Sequence, residues 1–247
     1  MALLEARNIS VSFDNNKILD NVSVSLNKGE LISILGASGS GKTTLFNVIA
    51  GLIMPSCGSV RFKDADITGK SGHFSYMLQK DLLMPYKTIM DNVTLPLILK
   101  GLSKREAYKQ TEPYFQEFGL EGTQSKYPSQ LSGGMRQRAA LLRTYMFSGE
   151  VALLDEPFSA LDTLTKSNMH KWYVNIIEQI KLSTLFITHD IDEAILLSDR
   201  IYILGGTPAT VSHEIVISPS DVRNSNLMLS ENFLKYKKTI INAIGDS

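Results

Sequence analysis

The order of apolar and polar residues along the chain predicts two kinds of β-strand. Apolar and polar side chains alternate over residues 9–13 and again over 22–26, which is the period of a strand with one buried face. Three later runs, at residues 31–35, 151–154 and 184–188, are apolar almost throughout, as in strands that are buried on both faces of a parallel sheet. The pattern predicts β structure with one buried face first and a helix-covered parallel sheet after it.

Helical spacing replaces the strand pattern between the first two of these apolar runs. Residues 103–118 carry apolar side chains at helical intervals despite Pro113. Ser132, which precedes two glycines and a run rich in leucine, alanine and arginine, predicts an N-cap and a helix. Another long helix is predicted over 164–180, and the weakly patterned tail after Pro219 predicts short helices. The chain is therefore expected to be an α/β domain with a helical insertion.

Composition and charge narrow the class of protein. The 247 residues include 25 Lys and Arg against 25 Asp and Glu, and 43% of them are hydrophobic. A balanced charge excludes a protein that holds nucleic acid or an anionic bilayer mainly by its electric field, and the composition is that of a folded globular protein. The single cysteine, Cys57, allows no internal disulfide and no Cys/His zinc cluster. With no secretory signal and no run of 18 apolar residues, we expect the cytoplasm, with any membrane association through a partner.

A glycine-rich loop follows the first buried strand. Residues 36–43, GASGSGKT, fit GxxxxGK[ST] and stand between that strand and a helical pattern over 44–50. Such glycines let successive backbone N–H groups point inward, and the helix amino terminus adds its positive end, so the loop binds phosphate. Lys42 is predicted to reach the β and γ phosphates and the Thr43 hydroxyl to bind Mg²⁺. The alternative, a turn built only for packing, leaves the lysine unexplained.

Two adjacent acids follow the second buried strand. If both belonged to that strand, Asp155 and Glu156 would point to opposite faces. Asp155 would then hold the Mg²⁺ shell, and Glu156 would address a water beside the γ-phosphate. The alternative is that both acids simply solvate the end of the strand.

Three further features are weaker when each is taken alone. His189 follows the third buried strand, where it can donate to a γ-phosphate or be bonded locally. Gln79 ends a short apolar run and by itself indicates almost nothing. Residues 131–137, LSGGMRQ, place a serine and two glycines at a predicted helix start, which is a second anion-binding end. One nucleotide does not need two such elements from one chain.

In this order the segments resemble the ATP-binding subunit of an ABC transporter. The resemblance runs from about residue 3 to residue 212 and is carried by GASGSGKT, Gln79, LSGGMRQ, VALLDE, SALD at 159–162 and THD at 188–190. It implies a P-loop NTPase core with an N-terminal antiparallel β subdomain and a helical insertion. The expected division is one domain over 1–247, with the core at 1–79 and 149–212, a helical subdomain at 80–148 and an extension at 213–247.

The resemblance also implies roles for individual residues. Two such subunits close head to tail, so that each ATP lies between one P-loop and the partner's signature helix. Glu156 is the implied general base, His189 contacts the γ-phosphate, and Gln79 joins Thr43 and Asp155 around Mg²⁺. The residues implied to bind the nucleotide, on one subunit or the other, are Phe13, Gly36, Ser38, Gly39, Ser40, Gly41, Lys42, Thr43, Thr44, Ser132, Gly133, Gly134 and Asp162.

Two positions depart from the common family pattern. Phe13 stands where relatives more often have the tyrosine that stacks on adenine. Stacking needs only the π face, so Phe13 is expected to serve, with a core position as the alternative. Ala37 replaces a common proline and leaves the mechanism unchanged.

The same resemblance implies partners and a place in the cell. The residues after Gln79 are expected to face a coupling helix of a transmembrane permease or, alternatively, to pack on the subunit's own helices. Segments 78–85, 158–162 and 186–194 are similar to import ATPases for nitrate, sulfonate, taurine and thiamine-pyrimidine precursors, which favours an importer served by a solute-binding protein at the cytoplasmic face of the membrane. An exporter ATPase remains an alternative. A non-transport ATPase acting on DNA or the ribosome is another, although the long coiled coil or the second ATPase domain of those relatives is missing.

Overall fold

The computed structural model describes residues 2–14, 16–222 and 227–245. The strands are β1 (Leu4–Phe13), β2 (Asn16–Leu26), β3 (Leu31–Leu35), β4 (Cys57–Phe62), β5 (Ala65–Asp66), β6 (Ser75–Met77), β7 (Val151–Asp155), β8 (Ser183–Thr188), β9 (Arg200–Gly205) and β10 (Thr210–Val216). The helices are α1 (Lys42–Ile49), α2 (Ile89–Leu99), α3 (Lys104–Glu117), α4 (Gly133–Phe147), α5 (Thr163–Ile180), α6 (Ile191–Leu197) and α7 (Glu231–Gly245). Single 3₁₀ turns lie at Pro128–Gln130 and Leu227–Leu229. The chain divides into two compact units, Met1–His73 with Leu182–Ser247, and Phe74–Lys181.

The first unit contains the predicted antiparallel sheet. Its strands run in the order β2-β1-β4-β5, with every neighbouring pair antiparallel. β1 buries Leu4, Ala6, Ile9 and Val11 and exposes residues between them, so one face packs on the core. The alternating pattern read from residues 9–13 and 22–26 is confirmed as this half-buried sheet.

The first unit also contains parallel strands, in the order β10-β9-β3-β8. β3 pairs in parallel with both β8 and β9, and β10 closes the edge in the antiparallel sense. Every residue of β3 and of β8 is buried, as expected for strands covered on both faces. Leu35 pairs with Thr188, so the loops that follow β3 and β8 leave the same edge. The predicted α/β class with a parallel sheet is confirmed.

The carboxyl-terminal segment differs from its prediction. Instead of short helices it forms α7, a helix of 15 residues. Phe233, Ile240 and Ala243 of this helix pack into a buried cluster that also contains Leu35 and Ile203. Only three residues of α7 are buried, and polar residues fall between them, so the stripe is weak in the sequence; packing against the sheet is what stabilises the long helix.

The second unit is mainly helical. β6 and β7 pair in parallel, with Met77 opposite Leu154, and the remaining elements are α2 to α5. The helix predicted over 103–118 is confirmed as α3, which begins at a capping box formed by Ser103 and Glu106. Ser132 caps α4 and the prediction over 164–180 corresponds to α5.

The helices of the second unit pack around aromatic side chains. The ring of Phe118 lies 5.8 Å from that of Trp172 on α5, and Tyr114 lies 5.2 Å from Tyr145 on α4, both pairs edge to face. Arg138 of α4 stacks over Trp172 at 4.7 Å. The predicted helical subdomain over 80–148 falls inside this unit, and its limits stay a prediction. No helix in residues 2–14, 16–222 and 227–245 combines the length and the apolar composition that a bilayer crossing requires.

Candidate functional site

In the first unit, the loop between β3 and α1 has the backbone of a phosphate-binding loop. Gly39 and Gly41 adopt φ values of 81° and 84°, which other residues reach only with strain. Gly41 is the N-cap of α1, and the helix carries no acidic residue in its first turn. The positive end of α1 therefore faces the loop without a competing carboxylate.

Lys42 is held against this loop. It is only 6% exposed, and its ammonium group donates to the carbonyl oxygens of Gly36 at 2.8 Å and Ala37 at 2.6 Å. A buried ammonium needs such acceptors. The contacts fix the position of the cation beside the backbone donors of the loop, which is the arrangement that a polyphosphate requires.

The start of the loop leaves no room for a side chain. A Cβ on Gly36 would lie 2.4 Å from the Leu204 carbonyl oxygen and 2.8 Å from the Ser40 hydroxyl. That hydroxyl oxygen is itself buried and has no hydrogen-bond partner. An unpaired buried hydroxyl is costly, and a ligand oxygen in the loop would satisfy it, so the loop fits a phosphate group.

His189 is placed next to the phosphate loop by the pairing of β8 with β3. It follows Thr188, which pairs with Leu35, and Leu35 precedes Gly36. The turn after His189 is tight, because the Asp190 N–H donates to the Thr188 hydroxyl at 3.0 Å and the Thr188 hydroxyl donates to Glu193. His189 is exposed, so its ring is accessible at the edge where the phosphate loop begins.

Phe13 lies at the tip of the β1–β2 hairpin. It pairs with Asn16 and is 46% exposed. The alternative of a core position is therefore wrong, since a core phenylalanine would be buried. Asn16, the pairing partner of Phe13, lines one cavity together with the first half of the phosphate loop.

In the second unit, β6 and β7 bring two predicted catalytic residues into contact. The Gln79 amide donates to a Glu156 carboxylate oxygen at 3.2 Å and to the Ser159 hydroxyl at 3.3 Å. The Ser159 hydroxyl in turn donates to the Glu156 carbonyl oxygen at 3.0 Å. Ser159 is a site residue that the sequence reasoning missed. Its signals are its place at the start of SALD and its position three residues after Glu156, where a turn returns the side chain to the acid.

The two adjacent acids are separated by backbone shape rather than by strand alternation. Asp155 is the last residue of β7 and is 8% exposed. Glu156 lies outside the strand with φ of 45°, so the condition that both acids belong to the strand is not met. A left-handed residue turns the chain sharply, which directs Glu156 to Gln79. Burial, together with the charge of Asp155, raises the pKa of Tyr76 on the neighbouring strand β6.

The signature segment forms the start of α4. Ser132 is exposed and accepts a hydrogen bond from the Met135 N–H at 3.3 Å. A Cβ on Gly134 would lie 3.2 Å from Thr165 of α5, so the glycine allows the two helix starts to approach. Asp162 caps α5, and its hydrogen bonds with Thr165 hold the pKa of Asp162 below its usual value. The start of α4, capped by Ser132, therefore lies against the start of α5, capped by Asp162, with Gly134 at the point of contact.

The loop after Gln79 is ordered by two residues that sequence reasoning also missed. Arg143 of α4 donates to the carbonyl oxygens of Asp81 at 2.5 Å and Leu82 at 2.8 Å. Asn92 of α2 is fully buried and bonds to both the N–H and the carbonyl of Met84. Neither residue lies in a recognisable motif. They leave the side chains of Leu82, Met84 and Tyr86 exposed, while Leu83 is buried.

A parallel sheet whose strand β3 ends in a glycine loop, a buried lysine and a helix start defines the class of P-loop nucleotide-binding proteins. The ABC transporter family matches residues 19–159, which is more than half of the chain. The chain therefore belongs to the ABC transporter family.

Relatives extend this likeness over most of the chain. It is 43% identical over 218 residues to the formylaminopyrimidine import ATP-binding protein ThiZ of Halalkalibacterium halodurans, with 88% of this chain and 85% of ThiZ covered. It is 36% identical over 228 residues to the nitrate import ATP-binding protein NrtD of Synechocystis, with 90% and 86% covered. A dimeric post-hydrolysis structure of the ATP-binding cassette MJ0796 with ADP and Pi matches at a TM-score of 0.72 and 29% identity, over 87% of this chain and 98% of that one.

These findings confirm the predicted family, the P-loop NTPase fold, ATP as the nucleotide and ATP hydrolysis as the activity. The predicted residue roles stay predictions. The structure places Phe13, the phosphate loop and His189 in the first unit, and Gln79, Asp155, Glu156, Ser132 and Asp162 in the second. Within the second unit, Gln79 and Glu156 meet directly.

Proposed function

We propose that the chain is the ATP-hydrolysing subunit of an importer, working as a pair of identical subunits beneath a transmembrane permease. One observation carries the proposal. The Gln79 amide bonds to the Glu156 carboxylate, and the chain after Gln79 continues into the exposed apolar residues Leu82, Met84 and Tyr86. A contact made by this loop would therefore be transmitted through Gln79 to the carboxylate of Glu156, the proposed general base.

In the proposed chemistry, Glu156 accepts a proton from a water while the water oxygen attacks the γ-phosphorus and ADP leaves. A positioned base of this kind contributes about 10²–10⁴-fold in rate. Lys42 and the backbone donors of the loop stabilise charge on the phosphate oxygens, and His189 donates to the γ-phosphate. Ser132 and Gly134 of one subunit contact the ATP held by its partner, and Asp162 lies in the loop between the two sites.

Mg²⁺ fits the donors of the proposed site. Thr43, Gln79 and Asp155 offer hydroxyl, amide and carboxylate oxygens, which are the hard ligands this ion prefers. Within the described residues, no group of three His, Cys, Asp or Glu side chains can hold a metal by itself. An ion held by few protein ligands takes the rest from phosphate and water. When bound, Mg²⁺ neutralises charge on the phosphates.

The exposed apolar residues after Gln79 fit a permease helix. Leu82 is 54% exposed and Tyr86 is 93% exposed, and exposed apolar patches mark sites of protein contact. A permease contact here would hold the subunit at the cytoplasmic face of the membrane. The relatives named for nitrate and formylaminopyrimidine import support uptake rather than export. The proposal adds a small anionic or pyrimidine solute that a solute-binding protein delivers.

Co-purification with a candidate permease from the same organism tests the proposal. Tyr86→Asp with Leu82→Asp is expected to abolish recovery of the permease from detergent-solubilised membranes and to leave ATPase activity of the isolated subunit unchanged. Leu99→Asp is the control, because Leu99 is 78% exposed in the same unit and lies outside this loop. Retention of the permease by the Leu82/Tyr86 variant would remove the docking assignment.

Transport direction needs its own measurement. Vesicles that contain the permease and this subunit, with the solute-binding protein, are expected to move labelled nitrate, a sulfonate or a formylaminopyrimidine toward the side that holds ATP. Lys42→Ala should abolish the movement. Movement away from the ATP side would identify an exporter instead.

A further inference from the structure

A cavity of about 400 Å³ lies along the first half of the phosphate loop in the first unit. Residues 36–40 form one side of it, and Asn16 to Ile18 of β2 form the second. The third side is made by the end of β9, the turn at 205–207 and Ile244 of α7. The volume is in the range of small-ligand pockets, and none of the known motifs of the chain accounts for the third side.

The position of this cavity corresponds to the nucleoside end of ATP. Phosphates are expected at Lys42 and the start of α1, whereas the cavity is lined by residues 36–40 and by Asn16 and not by Lys42. Asn16 pairs with the exposed Phe13, which is the proposed stacking surface for the base. The cavity therefore lies between the residue that pairs with Phe13 and the loop that precedes Lys42, which is the stretch that a nucleotide bound at both would span.

The third wall is built rigidly against the phosphate loop. A Cβ on Gly36 would lie 2.4 Å from the Leu204 carbonyl oxygen, so the end of β9 touches the loop. The backbone of Ala209, just after the turn, donates to Ile18 at 2.9 Å and accepts from Asp20 at 2.9 Å. These bonds fix the turn to the second wall as well.

Helix α7 is anchored at several points, so Ile244 is held in place. The Lys237 ammonium lies 2.6 Å from Asp192 on α6. The Tyr236 hydroxyl accepts from the Ser218 N–H at 2.9 Å and donates to Asp221 at 3.1 Å. Ile240 and Ala243 are buried in the cluster that contains Leu35, the residue before the phosphate loop.

We propose that the turn at 205–207, together with Ile244, forms the wall of the ATP site that faces the nucleoside. The inference rests on the proposed nucleotide site and adds a specificity determinant from the carboxyl-terminal helix. Apolar contact with Ile244 limits the size of the base or ribose that the site admits. The phosphates bind independently of this wall.

Substitutions of two of the isoleucines on α7, Ile244 and Ile241, provide a matched test. Ile244→Trp fills the cavity and is expected to weaken ATP binding about tenfold or more, with inorganic tripolyphosphate affinity unchanged, both measured by calorimetry. Ile241→Trp is the control, because Ile241 is on the same helix but 51% exposed. Ile244→Ala should improve the affinity for ATP carrying an N-methylanthraniloyl group on its ribose, relative to that for ATP.

Thr207→Trp places a large side chain at the same cavity from the turn, without a change in α7. It should also weaken the binding of ATP and leave the affinity for tripolyphosphate unchanged. Unchanged ATP affinity in both Ile244→Trp and Thr207→Trp would overturn the proposal. So would an equal loss with Ile241→Trp, or a parallel loss of tripolyphosphate. Failure of the ATP site itself is recognised separately, since the unaltered protein would then bind neither ATP nor tripolyphosphate, and Lys42→Ala would change nothing.

Discussion

At the scale of single residues, the backbone at Glu156 determines what the side chain can do. Its φ of 45° costs a non-glycine residue about 1 kcal/mol or more. The Ser159 hydroxyl and N–H both bond to the Glu156 carbonyl, at 3.0 and 3.2 Å, and so hold the strained residue. The carboxylate is then presented to Gln79 instead of lying along the strand.

Glu156→Gln keeps the size and the backbone of this residue and removes only its basicity. We expect nucleotide affinity within about twofold of the unaltered protein and a loss of turnover of about 10²–10⁴-fold. Phosphate release and nucleotide titration measure the two effects. Glu121→Gln, at an exposed position of the same unit, is the control and should hydrolyse ATP normally. Normal turnover by Glu156→Gln would refute the assignment of the base.

At the scale of elements, the start of α2 shows how one carboxylate joins two helices. Asp91 accepts hydrogen bonds from Tyr108 at 2.7 Å and from Thr88 at 2.9 Å, and pairs with Lys104 at 2.9 Å. The Tyr108 hydrogen bond above all, then that of Lys104, lowers the pKa of Asp91 from 3.8 to about 2. A carboxylate in the first turn of a helix also interacts favourably with the positive end of the helix dipole.

Because the folded pKa of Asp91 is lower than the unfolded one, its contribution to stability is complete above about pH 4 and is lost as the pH falls toward 2. Asp91→Asn is expected to reduce the free energy of unfolding by about 1 kcal/mol at pH 7. The difference from the unaltered protein should shrink below pH 4 in urea unfolding. Tyr108→Phe should show a smaller loss over the same range. A difference that is constant from pH 7 to pH 3 would count against this account.

At the scale of the whole molecule, the chain carries two helix starts that are predicted to bind anions. The phosphate loop precedes α1 in the first unit, and Ser132 caps α4 in the second. A head-to-tail dimer gives both a use, because each ATP is then bound by the loop of one subunit and the signature helix of the other. The ATP-binding cassette MJ0796, to which the chain is similar, is dimeric with ADP and Pi bound.

Ser132→Arg tests the dimer. In a Glu156→Gln background, which retains ATP, we expect the parent to elute as a dimer with ATP and the Ser132→Arg variant to remain monomeric by light scattering. Ser103→Arg is a matched control, since Ser103 is also a helix N-cap in the same unit and its loss costs about the same 0.5–2 kcal/mol. Fluorescence of Trp172, which stacks on Arg138 of α4, verifies that α4 is intact. Equal dimer fractions in the two variants would exclude the sandwich.

The sequence by itself determined the features whose residues are neighbours in the chain. Residues 31–49 hold a buried strand, the phosphate loop and a helix start in one stretch, so local pattern is enough to identify them. Ser132 was likewise readable as an N-cap, because an N-cap bonds to a residue only three positions away. The two kinds of strand followed from hydrophobic period for the same reason.

The tertiary structure alone decided the features that depend on distant partners. Gln79 meets Glu156 across 77 positions of the chain, and Asn92 and Arg143 order the loop after Gln79 from two separate helices. Helix α7 acquires its length, and Ile244 its place beside the phosphate loop, by burial against a sheet formed far upstream. Burial and hydrogen bonding between distant segments leave no period in the local sequence, which is why only the folded chain defines them.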